Sequence, residues 1–282
     1  MISNKSAPET PELAIALEKL HSLPPLSTTT TQILSRTLDS ESSLTDLERV
    51  FRSDPALTVD LLMTANSAAF CGRRKVSTIL HALSILGLDR VRSLAMAVAM
   101  SRYIKAHIRP DTKAAAERVW THAVATGVIA EQLAKFREVA SSAVLYTAGL
   151  MHDMGRLGLL ATIKDPYQQF LGREYRHIEE SVEQEIQMFG ITHTVAGEHL
   201  MQTWGLPSVL GDCCRDHHAN TTSDTDEVRI IRTACIIADA LGYPELSLQE
   251  RAKSITADVW LDAHATDSLR DSVEATIGAL FL

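Results

Sequence analysis

Between Leu44 and Asp239 the apolar residues of this chain recur every three or four positions, and no stretch of useful length alternates apolar with polar. The first pattern lays a stripe along one side of a helix; the second is what a half-buried strand would need. An all-α fold is therefore expected, and the punctuation sets its helices. Ser42 and Ser43 are N-cap candidates ahead of Leu44, Leu47, Val50 and Phe51. Asp54-Pro55 restarts the chain, with Asp54 capping and Pro55 at the first helical position, before Leu57, Leu61, Leu62 and Ala65. Ile79, Leu80, Leu83 and Leu86 form the next stripe, which Gly87 ends; Asp89 can cap a helix with Val91, Leu94, Ala95 and Val98 inside.

Arg109-Pro110-Asp111 marks a boundary. Beyond it the spacing predicts helices near 113–136, 139–151, 175–189, 193–204, 207–218 and 226–242, with a polar loop at 220–226 and a helical tail to Leu282. The expected organisation is a tail at 1–14, an N-terminal helical part at 15–112, a helical bundle at 113–245 and a helical extension at 246–282.

Hydrophobic residues make up 45% of the 282, enough for a sizeable core. The net charge of -8 argues against nucleic-acid binding by broad phosphate neutralisation. Residues 76–102 form a helix–Gly–helix unit with Arg73, Arg74, Lys75, Arg90 and Arg92 nearby. It can be read as a DNA-binding helix-turn-helix or as a helical hairpin with a solvated basic edge, and the acidic chain favours the hairpin. The four cysteines form no C-x-x-C pair, which fits a reducing, cytoplasmic setting. No apolar signal core or membrane span is present.

The chemistry-bearing residues lie in the second half. His152 and Asp153 are adjacent, and His122, His193, His217, His218 and Asp239 stand on neighbouring predicted helices. His122 shares a stripe with Val119, Thr126, Ile129 and Leu133; His193 with Ala196, Gly197 and Leu200; His217 with Leu210, Cys213 and Cys214; Asp239 with Val228, Ile231 and Cys235. By the 3.6-residue period these groups point inward. Burying several without partners would cost several kcal/mol, so they meet one another or a cation. One reading is a satisfied polar core. The other is a centre for one or two divalent ions, with mixed nitrogen and oxygen ligation suiting iron, manganese or zinc. In that case His122, His152, Asp153 and Asp239 hold the first ion and His193, His217 and His218 the second, with Asp153 bridging. Arg156 is the nearest cation for a phosphate, or else a surface charge. Cys213, Cys214 and Cys235 read as small core fillers.

The chain resembles the HDOD (HD-related output domain) family over roughly residues 15–245. The resemblance is carried by Leu23-Pro24-Pro25-Leu26, Ser53-Asp54-Pro55-Ala56-Leu57, Ala65-Asn66-Ser67, Ala82-Leu83-Ser84-Ile85-Leu86-Gly87, the string from Gly149 to Arg156, Glu185 to Gly190 followed by His193, Trp204-Gly205-Leu206-Pro207 and His217-His218. It implies an HD-like helical core and a role as a bacterial signalling output module. Its partners would be signalling proteins, often of cyclic-dinucleotide, two-component or chemotaxis systems, with room for a homo-oligomer and no membrane. The chain is also similar to the HD-GYP branch of cyclic-di-GMP phosphodiesterases, where His122, His152, Asp153, His193, His217, His218 and Asp239 fall at metal-ligand positions. Ala219-Asn220-Thr221 replaces the Gly-Tyr-Pro loop, and Arg156 stands where that branch has Lys. Two functions follow as expectations: a regulatory module working through protein contacts, or a metal-dependent phosphohydrolase in which Asp153 and Arg156 are catalytic. A groove near Asn66 and Phe70 is the expected partner surface, while Asn66 could equally clamp a loop.

Overall fold

The computed structural model describes residues 10–38, 43–67, 75–137, 142–219, 224–249 and 263–280. The N-terminal half holds α1 (Pro11–His21), α2 (Thr28–Leu38), α3 (Leu44–Ser53), α4 (Pro55–Ala65), α5 (Ile79–Leu86) and α6 (Leu88–His107). A 3-10 turn, Pro110–Thr112, leads into α7 (Lys113–Arg137), α8 (Ser142–Met151), α9 (Met154–Ile163) and α10 (Asp165–Leu171). Then come β1 (Glu174–Tyr175), α11 (Ile178–Phe189), α12 (His193–Thr203), α13 (Ser208–Asp216), α14 (Asp226–Ala240), β2 (Ser247–Leu248) and α15 (Ala263–Leu280). The two strands pair in parallel, Glu174 with Ser247 and Tyr175 with Leu248. The all-α expectation holds, with this small clip as its only sheet among the described residues.

The caps follow local chemistry. Ser43 accepts from the Asp46 amide while the Asp46 carboxylate accepts from the Ser43 amide, a reciprocal box. Asp54 accepts from the Leu57 amide at 2.9 Å, with Pro55 beginning α4. Asp89 does not cap α6: Gly87, at φ +82, takes that position, and Asp89 sits in the first turn, 3.6 Å from Arg92. Arg92 is buried, so the hairpin edge is less solvated than expected; Arg73 and Arg74 lie outside the described residues. Asn66 clamps a loop, its amide donating to the Leu62 and Val76 carbonyls while its oxygen accepts from the Val76 amide, each at 2.7 Å. Phe70, the other landmark of the expected groove, lies outside the described residues.

Helix α6 is the central post of the first half. Every residue from Val91 to Ser101 is buried, because α2, α4, α5 and α8 pack around it. A helix enclosed on all sides needs no apolar stripe. In the second half α7 packs against α8, α14 and α15, and α12 against α9 and α13. Helix α1 begins at Pro11, inside the stretch expected as a tail, and packs on α9, α11 and α12. One continuous apolar core runs from Ala16 to Leu280. No helix among the described residues is long and apolar enough to cross a membrane.

Candidate metal centre

Five short segments bring the site together. His122 lies midway along α7 and Asp239 in the last turn of α14. His152 and Asp153 occupy the junction of α8 and α9, where Asp153 holds the N-cap position at φ -105, ψ 15 but makes no capping bond. Its carboxylate turns inward instead. His193 opens α12, and His217 and His218 follow α13. Gly155 permits the convergence: a Cβ there would lie 1.8 Å from the His193 carbonyl oxygen and 2.6 Å from the Gly197 nitrogen. Gly149 does the same for α7 and α8, since its Cβ would stand 2.5 Å from the Gly127 Cα. Without these two glycines the helices bearing Asp153, His193 and His122 could not approach so closely.

The imidazoles are oriented by their far nitrogens. His152 Nδ1 donates to the Gly149 carbonyl at 2.7 Å, His217 Nδ1 to the Cys214 carbonyl at 2.8 Å, and His193 Nδ1 to the Glu185 carboxylate at 2.7 Å. A carbonyl or carboxylate only accepts, so each Nδ1 carries a proton and each ring is held with its Nε2 turned the other way. Those Nε2 atoms face Asp153: His152 at 3.6 Å, His193 at 3.7 Å and His217 at 3.6 Å. None of the three has a hydrogen-bond partner among the described residues, and neither does either Asp153 oxygen. His218 Nε2 is likewise orphaned.

The protonation states fit this arrangement. Burial pushes His152 down to about 3. Burial, then the Arg156 charge, lowers His193; burial, then the neighbouring His217, holds His218 well below the ordinary histidine range. Burial alone would raise Asp153, but the charges around it, the Arg156 guanidinium at 3.4 Å among them, hold the carboxyl well down. Imidazole lone pairs converging on an ionised carboxylate repel one another unless a cation lies between them. The residues therefore fit a bound divalent ion.

His122 belongs to a second cluster. Its Nδ1 donates to the Tyr243 carbonyl at 2.7 Å, with Asp239 at 3.3 Å from the same nitrogen. Its Nε2 faces Glu245 at 3.3 Å and the Cys235 sulfur at 3.4 Å. Burial would lower His122, but Glu245 and Asp239 reverse that and raise it. Among the described residues, four sets have ligand atoms close enough to share an ion: His193, His217 and His218; His152, Asp153 and His217; His122, Asp239 and Glu245; and His122, His152 and Cys235. The expected second-ion trio is thus brought together. The expected first-ion set is divided, with His122 and Asp239 in one group and His152 and Asp153 in another. His122 and His152 remain adjacent, ring centroids 5.3 Å apart.

Three participants were not singled out from the sequence. Glu185 orients His193 and also accepts from Tyr167 at 2.6 Å. Glu245 sits in the segment after α14, its carbonyl held by Arg118 Nε at 3.0 Å. Cys235, expected as core filler, touches His122, whereas Cys213 and Cys214 are core. Arg156 is neither a surface charge nor open to a phosphate. It is 0% exposed and lies 3.4 Å from Asp153, 3.2 Å from Glu185 and 3.7 Å from Glu245.

The model of the HDOD domain matches residues 23–220, which takes in every candidate ligand except Cys235, Asp239 and Glu245. An uncharacterized protein of Treponema pallidum (strain Nichols) is 26% identical over 213 residues, 74% of this chain and 40% of that protein. Among solved structures, a candidate signal transduction protein from Marinobacter aquaeolei VT8 superposes with a TM-score of 0.72 at 22% identity, covering 96% of this chain and 65% of its own. An HDOD domain protein of unknown function from Geobacter sulfurreducens gives 0.69 at 19% identity, covering 93% and 89%. A candidate phosphohydrolase from Shewanella amazonensis SB2B gives 0.70 at 19% identity, covering 95% and 98%. At these identities the structures establish a shared fold. The chain spans well under half of the Treponema relative it matches.

Proposed function

This chain belongs to the HDOD family, and on that premise we propose that it is a signalling module which holds divalent metal in its C-terminal half and acts on partner proteins. The ion is a structural or regulatory element, of the iron, manganese or zinc class that mixed imidazole and carboxylate ligands suit. The observation that carries this reading is closure. His122, His152, His193 and His217 are 0% exposed and Asp153 is 1% exposed, with only His218 and Asp239 half-buried at the margin. Closed ligand sets are the habit of structural sites, whereas catalytic ones keep a position open for water and substrate. Arg156, the guanidinium beside Asp153, is already committed to three carboxylates. A signalling context also agrees with the description of the Marinobacter neighbour.

A metal-dependent phosphohydrolase is the second reading, favoured by the number of lone pairs gathered round Asp153. One experiment separates the two. Protein purified without chelator is assayed for metal by mass spectrometry and for hydrolysis of phosphodiesters, cyclic dinucleotides included, with manganese or iron added. The module reading expects one or two ions per chain, lost in Asp153→Ala, and no turnover. Turnover that disappears in His152→Ala and Asp153→Ala would establish the enzyme. Metal-free protein of full stability would sink both.

A further inference from the structure

We propose that the cleft between the end of α6 and the start of α7 binds a small amphipathic organic anion, with a flat apolar body and one carboxylate, sulfonate or phosphate head. The cleft encloses about 300 Å³, at the small end of the range for organic ligands. Ile104, Ile108 and Trp120 form its apolar wall, and Lys105, Arg109 and Lys113 its charged rim. Glu117 is the sole acid in the lining.

Three features point to an anion. The lining carries three cations against one acid, in a chain whose net charge is -8. Arg109 pairs with Asp111, and Lys113 with Glu117 at 3.4 Å, yet counting both acids the balance remains positive. The net charge of these groups is thus opposite in sign to that of the whole chain. The second feature is the floor: Trp120 lines the cleft at 3% exposure with its Nε1–H buried out of reach, so it offers an occupant apolar surface only and leaves the charged rim to hold a head group. The third is chain geometry. Arg109-Pro110 and the 3-10 turn that follows break the path between two long helices, α6 and α7, and the cavity lies at their junction, the seam between the two halves. Seams of this kind are favoured ligand positions.

The site is separate from the metal centre, and its test reads no metal. The probe is 1-anilinonaphthalene-8-sulfonate, compared with 1-anilinonaphthalene, which has the same body and no charge. Both are titrated by fluorescence into the full chain and into K105E/K113E and Trp120→Phe. The wild-type chain is expected to bind the sulfonate at one site and tighter than the neutral analogue. K105E/K113E should weaken the sulfonate by about tenfold, from two reversed surface charges, and the neutral analogue by less than about twofold. Energy transfer from tryptophan to bound sulfonate should fall in Trp120→Phe. Both lysines are exposed and the Lys113–Glu117 pair lies at the surface, so the double variant is expected to unfold within a few degrees of the wild-type temperature. Equal wild-type affinity for the two probes, or sulfonate binding unchanged in K105E/K113E, overturns the proposal.

Discussion

The two halves bury polarity in opposite ways. Among the described residues of α1 to α6, the buried polar side chains are hydroxyls and one arginine. Thr64 is served locally, donating to the Asp60 carbonyl one turn back at 2.9 Å, while Ser93 reaches a single carboxylate, Glu131 of α7, at 3.4 Å. The later half encloses His122, His152, Asp153, Arg156, Glu185, His193, His217 and Glu245, drawn from segments far apart in sequence. The first half is a scaffold whose stability comes from apolar contact. The second spends conformational freedom and desolvation on a charged interior, which in the function proposed above a cation completes. Stability and chemistry are therefore separable by mutation.

The largest expected effect tests the scaffold. Phe51 is fully buried on α3, so Phe51→Ala should cost about 3–5 kcal/mol in denaturant unfolding. Metal content per folded chain should not change; if it falls with stability, the halves are not independent. Next comes metal removal. Stripping the wild-type protein with a chelator should lower stability by about 4 kcal/mol relative to a thousandfold excess of ion over its dissociation constant. Amide exchange should rise around α9, α12 and α13 before it rises in α6.

Acid sharpens the contrast. His152, His193 and His218 are held below the pKa of an unfolded histidine, near 6.5. Their unfolded forms take up protons first, so the metal-stripped protein should lose stability as pH falls from about 6.5 toward 3. The slope should approach about 1.4 kcal/mol per pH unit for each imidazole. His122, which is raised, works the other way and stabilises below about 6.5. Stability of the stripped protein that is flat between pH 7 and 5 would contradict the neutral-ring arrangement. The smallest effect is a cap. Asp54→Ala should cost about 1 kcal/mol at pH 7. The Leu57 amide lowers the Asp54 carboxyl, so this stability is present above about 3.8 and lost as pH falls through that range. The measured cost should shrink accordingly in acid.

The helices were legible because capping and apolar spacing are local. Ser43, Asp54 and Pro55 act as the sequence suggested, and the stripes through His122, His193 and His217 do face inward. Helices α9 and α10 were not anticipated. Met154 to Leu160 are buried on every side, so the segment has no polar face to give it phase, and α10 is a seven-residue helix entered through Lys164 at positive φ. Glu185 had a usable signal: it falls on the buried side of α11 with Ser181, four residues earlier. That signal was hidden among the other acids of α11. Glu245 had none, since it lies outside any helix and its place depends on Arg118, 127 residues away. Cys235 was judged by its apolar neighbours, and only the crossing of α7 and α14 sets its sulfur against an imidazole.

Because the missing side chain at Gly155 lets α9 rest on the backbone of α12, the spacing between Asp153 and His193 is a main-chain dimension. No rotamer change can open it. The gauge of the ligand set is consequently fixed by peptide geometry, and substitutions around it can alter what binds more readily than how large an occupant fits.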